Sequence, residues 1–336
     1  MLLEARNLRV TYRSAHGHVR AVDGLDLTIS NFEVFGLVGE SGCGKSTVVK
    51  ALMRLLPPNA RIEADVLRFR DHDLLAMAPA RFRREILMRE IALVPQSAQN
   101  SLNPVQRVGA QIVEAIQAHS KASTAKARER VAELFDIVGL QSELMDRFPH
   151  EFSGGMRQRA MIAMALAFEP ALLVMDEPTT GLDVLVQERL LGRIRKIRER
   201  VRLSILLITH DIGVIAETAN RIGVMYAGQM VECSPTMPLF AEPWHPYTLG
   251  LKNSFPSIFA LERELISIPG SPPDLSNPPL GCGFVERCPF ALAACRAKRP
   301  AAIAVGPDRI SACIRTAEIE HMRITAAKKV TWHSLA

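Results

Sequence analysis

The stretch GESGCGKST, from Gly39 to Thr47, carries the clearest chemistry in the chain. It fits G-x-x-x-x-G-K-[ST], in which glycines let successive backbone N–H groups turn inward around phosphate oxygens. Gly39, Glu40, Ser41, Gly42, Cys43 and Gly44 then form the cradle, with Thr47 closing the motif. Lys45 reaches the β- and γ-phosphates, and the Ser46 hydroxyl ligates Mg²⁺. Cys43 offers its backbone rather than its thiol.

A second element fits the same chemistry. In ALLVMDEPTT, an apolar run buries a strand and Asp176 emerges at its C-terminal end, where α/β sheets place ligands. A carboxylate there can hold Mg²⁺, and Glu177, next in the chain, can polarise an attacking water. A third group is Cys282, Cys288, Cys295 and Cys313, spaced C-x₅-C-x₆-C-x₁₇-C. Zinc sites favour tighter pairs, whereas iron–sulfur clusters accept thiolates from wider loops, so spacing leaves cluster, zinc and free thiols open.

These residues need a scaffold. EVFGLVG reads as a buried strand feeding the phosphate loop, and STVVKALMRLL as a helix stopped by Pro57–Pro58. VGAQIVEAIQAH, KARERVAELFDIVGL (closing near Gly139) and MRQRAMIAMALAF read as further helices. ALLVMD and SILLITH read as buried strands around the basic amphipathic helix RLLGRIRKIRERVR. Strands alternating with helices predict an α/β fold with a mostly parallel sheet. Residues 1–30 alternate as short strands. From about Trp244 the texture turns rich in proline and turn residues, which sets a boundary: 1–240, with a helical part at about 100–165, and 241–336. At 336 residues, 48% hydrophobic and 23% charged, the composition is globular. No apolar run approaches the roughly 18–20 residues of a membrane span, and the start lacks a secretory pattern, so the chain is expected in the cytoplasm. A net charge of +6 is modest, and six cysteines in a reducing compartment argue against disulfides.

FSGGMRQR, from Phe152 to Arg159, lies just upstream of the acidic strand. With it, the chain resembles ABC-type ATPases, whose signature motif this stretch matches apart from phenylalanine in the usual leucine position. Other matches follow in order. Gln96 in VPQ resembles the Q-loop, Asp183 in TTGLDV the D-loop, His210 in LLITHD the switch histidine, and Tyr12 the aromatic that stacks on adenine. The resemblance implies an ABC core with an antiparallel β subdomain and a helical signature subdomain. It implies ATP and Mg²⁺, with Ser46, Gln96 and Asp176 toward the metal and Lys45, Gln96, Glu177 and His210 in catalysis. Ser153, Gly154 and Gly155 would contact a γ-phosphate held by a second ATP-binding subunit, a paralogue or a copy. Head-to-tail sandwiching of nucleotides would make ATP the glue of the pair.

NSLNP (Asn100 to Pro104), HPYT (His245 to Thr248), PHEFSGGMRQR and the cysteine tail narrow the resemblance to ATP-binding subunits of bacterial and archaeal oligopeptide/dipeptide importers. That implies two membrane permeases, an external solute-binding protein, a place on the cytoplasmic face of the membrane, and a loop-rich appendage whose four cysteines hold a [4Fe–4S] cluster, with zinc as the alternative. The family usually has glycine before the glutamate of SNFEVFG. Here Phe32 takes that place, and Asn31 is expected to supply the left-handed turn. The alternative is an ABC ATPase acting on nucleic acid. It is disfavoured by the lack of sustained heptads between the phosphate loop and signature, by the single ATPase unit, and by the modest charge.

Overall fold

The structure, a computed structural model, describes residues 1–15, 17–254 and 266–333. The chain divides into two compact units, Met1–Leu3, Ile29–Phe35 and Arg68–Thr209 in the first, and Glu4–Thr28, Gly36–Leu67 and His210–Ala336 in the second.

In the first unit, three parallel strands carry the acidic end. Ile91–Val94 pairs with Leu172–Asp176, which pairs with Ser204–Ile208. The last two are buried at every position, as the unbroken apolar runs demand of strands covered on both faces. The helical part consists of Val108–His119, Thr124–Val138 and Gly154–Ala165. Thr124–Val138 ends at Gly139, whose φ of 69° makes the left-handed cap. Arg159 Nη1 donates to the Gly139 carbonyl at 2.7 Å, tying the signature helix to that cap.

The turn at SNFEVFG departs from the expectation. Phe32, not Asn31, takes the left-handed conformation, at φ 61°. Its N–H donates to Ser204 Oγ at 2.8 Å and its carbonyl accepts from Arg198 Nη2 at 3.0 Å. Arg202 lies over the Phe32 ring, 5.8 Å from its centroid. These contacts hold a phenylalanine in a conformation that costs about 1 kcal/mol or more.

In the second unit, Leu3–Ser14 neighbours Gly17–Ile29 and pairs antiparallel with Ala60–Glu63. The helix after the phosphate loop, Lys45–Leu52, ends before the two prolines. Arg54 turns left-handed at φ 51°, and Leu55 N–H closes back on the Lys50 carbonyl at 2.8 Å. That i-to-i−5 closure is a Schellman turn, so backbone geometry stops the helix first. Further on, Arg221–Tyr226 and Gln229–Pro235 form a hairpin. Beyond residue 240, Arg309–Ser311 pairs antiparallel with Gln229–Pro235, and Ile303–Gly306 with Arg309–Ser311. The tail is therefore more than loops: it contributes strands as well as the helices Pro246–Asn253 and Ile319–Ala326.

Candidate active site

The strand Val34–Val38 leads into the phosphate loop, which lies in the second unit, and glycine is required at two positions of the loop. A Cβ on Gly39 (φ 154°) would lie 2.2 Å from the Met225 carbonyl oxygen, and one on Gly44 (φ 106°) would lie 2.2 Å from that of Ala21. Each glycine lets the loop pass against a neighbouring backbone. The Cys43 carbonyl accepts from Gly228 N–H at 3.0 Å, which anchors the cradle on the hairpin turn. Lys45 is buried, and its ammonium donates to the carbonyls of Gly39 at 2.7 Å and Glu40 at 2.9 Å. Cys43 is buried too; burial pushes its thiol up, against the pull of Lys45. Ser41 and Gly42 are exposed, while Ser46 and Thr47 are half-buried on the first helical turn.

Tyr12 is half-buried on the first strand, opposite Ala60. His210 is exposed, immediately before the helix Ile212–Thr218, whose cap Asp211 accepts from Gly213 and Val214 N–H.

In the first unit, Asp176 ends its strand buried, and Glu177 follows half-buried at φ 50°. Glu177 N–H donates to the Ile208 carbonyl at 2.8 Å, so the neighbouring strand holds this strained residue. Glu177 Oε2 accepts from Gln96 Nε2 at 2.9 Å and from the Thr180 hydroxyl at 3.0 Å. Gln96 thus meets Glu177 across the strand ends. The Thr180 contact was not anticipated, although a threonine three residues after the glutamate is a usable signal.

Ser153 caps the signature helix, its Oγ accepting from Met156 N–H at 3.3 Å. Gly154 opens that helix, and a Cβ on Gly155 would stand 2.6 Å from Val186 Cγ1. Asp183 caps Val184–Arg200, accepting from Val186 N–H at 2.9 Å. Signature and D-loop residues therefore start two adjacent helices. Two further residues touch the phosphate loop: Tyr247 accepts from Glu40 N–H and Arg287 donates to the Glu40 carboxylate.

Comparison with known proteins agrees with this geometry. Residues 22–180 match the family model described as ABC transporter, and residues 231–295 match that described as oligopeptide/dipeptide transporter, C-terminal region. The chain is 42% identical over 326 residues to a probable peptide ABC transporter ATP-binding protein of Sinorhizobium fredii, covering 96% of this chain and 97% of that one. It is 41% identical over 320 residues to the oligopeptide transport ATP-binding protein of Salmonella typhimurium, covering 95% of each. The chain belongs to the ATP-binding subunits of peptide ABC transporters. The fold matches at a TM-score of 0.62 to an ATP-binding cassette solved as a post-hydrolysis dimer with ADP and Pi. That match is 23% identical and covers 70% of this chain and 98% of the other. As a member of the ABC family, the chain is an ATPase.

Membership does not carry the metal expected at the tail. Cys282, Cys288, Cys295 and Cys313 line one small apolar cavity with Phe284, Val285 and Phe290. Yet among the described residues, no group of three or more His, Cys, Asp or Glu side chains is placed to hold a metal ion. Burial pushes Cys282 up to about 11 and Cys288 up to about 12, and raises Cys313. Backbone N–H groups of Leu292 and Arg315 donate to the sulfurs of Cys295 and Cys313. The relatives, for their part, are described as ATP-binding proteins. The expectation of a [4Fe–4S] cluster, and of zinc in its place, is corrected: the four cysteines line a common cavity as free cysteines, Cys288 and Cys295 buried and Cys282 and Cys313 half-buried.

Proposed function

We propose that this chain is the ATP-hydrolysing subunit of a bacterial or archaeal importer of di- and oligopeptides. A nucleotide-binding domain over residues 1–240, helical at about 100–165, precedes an importer-type extension over 241–336. The near full-length match to peptide-transport ATP-binding proteins, the C-terminal region included, carries this reading.

One phosphate loop and one signature make the chain half of an engine. A second ATP-binding subunit, a paralogue or a copy, completes it. Gly39 to Thr47 cradle the phosphates, Tyr12 stacks on adenine, and Lys45 leaves its loop carbonyls for phosphate oxygens. Ser153, Gly154 and Gly155 cap the γ-phosphate held by the partner, where a hydroxyl and a helix N-terminus suit an anion. The D-loop, through Asp183, faces the same junction. The oxygen donors of Ser46, Gln96 and Asp176 are the hard ligands that suit Mg²⁺, which neutralises phosphate charge when bound. Glu177, steadied by Gln96 and Thr180, orients and deprotonates the water. Lys45 and His210 stabilise charge on the transferring phosphoryl group. Loss of the shared γ-phosphate then loosens the pair, a two-state cycle driven by differential binding.

Two permease subunits cross the membrane, and an external solute-binding protein delivers the peptide. No helix among the described residues is long and apolar enough to cross a membrane, which suits a peripheral place on its cytoplasmic face. The alternative of an ATPase acting on nucleic acid has no counterpart among the relatives reported above.

Glu177→Gln tests the assignment. ATP·Mg²⁺ binding stays near wild type, hydrolysis falls about a thousandfold, and a dimer accumulates with ATP in size-exclusion chromatography. Multiple-turnover hydrolysis at the wild-type rate would sink the reading.

A further inference from the structure

Glu40, the second residue of the phosphate loop, is held at three points. Its N–H donates to the Tyr247 hydroxyl at 2.9 Å, its carbonyl accepts from Lys45 Nζ at 2.9 Å, and its Oε2 accepts from Arg287 Nη1 at 2.8 Å. Tyr247 and Arg287 both come from the C-terminal part of the chain, Arg287 standing 247 residues from Glu40.

Arg287 is itself fixed from all sides. It is 6% exposed. Nη1 also donates to the Tyr226 hydroxyl at 3.0 Å, and Nε donates to the Pro269 carbonyl at 2.7 Å. The guanidinium lies over the rings of Tyr226 and Phe284, at 5.7 and 6.0 Å from their centroids. Tyr226 packs in turn on Tyr247, with ring centroids 4.6 Å apart. A planar donor fork held by carbonyls and aromatic faces loses little freedom when it grips a carboxylate.

The grip has an electrostatic purpose. A carboxylate in a loop that gathers phosphates repels the ligand unless a cation neutralises it. Lys45 cannot do this permanently, because its ammonium is the group that moves to the phosphates. We propose that Arg287 is a positioning residue for nucleotide binding: it neutralises Glu40 and, with Tyr247 on the Glu40 N–H, keeps the start of the phosphate loop shaped to receive ATP. The tail thereby becomes part of the nucleotide site. This inference rests on the reading that the loop binds ATP.

The test uses the full chain, with ATP·Mg²⁺ binding by calorimetry and steady-state hydrolysis. Arg287→Met raises Kd and KM for ATP about tenfold, the loss of one charge-assisted bond, while kcat at saturating ATP changes little. Arg287→Lys, which keeps the charge, recovers part of the affinity. Glu40→Gln added to Arg287→Met recovers most of it, because the uncovered carboxylate is gone; a merely structural role gives no such rescue. Should Arg287→Met fail to fold by circular dichroism, Arg287→Gln, with an N–H donor and no charge, takes its place. An unchanged KM, or an affinity loss that Glu40→Gln leaves untouched, overturns the proposal. If the wild-type chain binds no ATP, the ATPase reading fails instead, so the two failures stay distinct.

Discussion

Gln96 and Glu177, 81 residues apart in the chain, are joined side chain to side chain at 2.9 Å. The amide hydrogen bonds to the same oxygen that accepts the Thr180 hydroxyl. The glutamate's orientation is thus set by two donors on two different segments.

Replacing Gln96 by glutamate puts a second carboxylate against Glu177. Like charges at that distance repel and drive the two side chains apart. Steady-state kcat of Gln96→Glu therefore falls about tenfold below that of Gln96→Ala, which removes the donor without adding a charge. Equal rates in the two variants would show that the contact does not position Glu177.

The signature helix leaves no room at Gly155. A methyl there would lie 2.6 Å from Val186 Cγ1, so Gly155→Ala costs about 1–3 kcal/mol of stability through overpacking. Val186→Ala in the same chain restores the melting temperature. If the proposed head-to-tail pairing holds, hydrolysis stays depressed in the double variant, because Gly155 is then one of the residues set against the partner's nucleotide. Full recovery of both would reduce Gly155 to a packing residue.

Glu232 and His245 give opposite pH dependences. Glu232 is buried and accepts from the N–H groups of Trp244 and His245; burial still pushes it up from 4.5 to about 7. Its raised folded pKa means stability is full below pH 4.5 and lost as pH rises toward 7. Burial lowers His245 from 6.5 to about 3, so its contribution is full above 6.5 and is lost as pH falls toward 3. Between pH 4.5 and 6.5 the two slopes oppose each other. His245→Asn makes the melting temperature fall more steeply with rising pH than in the wild type. Glu232→Gln makes it fall more steeply with acidification. Each slope is at most about 1.4 kcal/mol per pH unit.

Cys43 sits inside the phosphate loop but is only 3% exposed, and burial raises its thiol. Iodoacetamide at pH 7.5 therefore labels it at least about tenfold more slowly than a free cysteine, measured on the peptide carrying Cys43 by mass spectrometry. Unfolding in guanidinium abolishes the difference. Rapid labelling of the folded chain would show that the loop opens.

What the sequence disclosed about this site follows the range of the physics involved. The phosphate loop, the acidic strand end and the signature helix are each written in consecutive residues, since phosphate cradles, strand burial and N-caps are local devices. Gly139 announced its helix end because only a left-handed residue closes that turn easily. Phe32 defeated the same logic. Its conformation is held by Ser204 and Arg198 from elsewhere in the chain, so Asn31 looked the better choice from local preference alone. Arg287 was invisible for a related reason. In GCGFVERCPF it stands beside Glu286 with nothing in the local pattern to mark it out, and only the fold brings it to Glu40. The cysteines misled in the other direction: their spacing left cluster, zinc and free thiols open, and the expectation of a cluster came from the family resemblance rather than from the residues.

The strand Arg309–Ser311 has a bearing on how this chain can be cut. It pairs with Gln229–Pro235, Glu232 opposite Ser311 and Cys233 opposite Ile310. A fragment ending at residue 240 would bare that edge, strip Glu232 of the N–H groups of Trp244 and His245, and leave Glu40 without Arg287. Such an edge invites sticking to other chains. A catalytic core made by trimming the tail would be a different and stickier molecule.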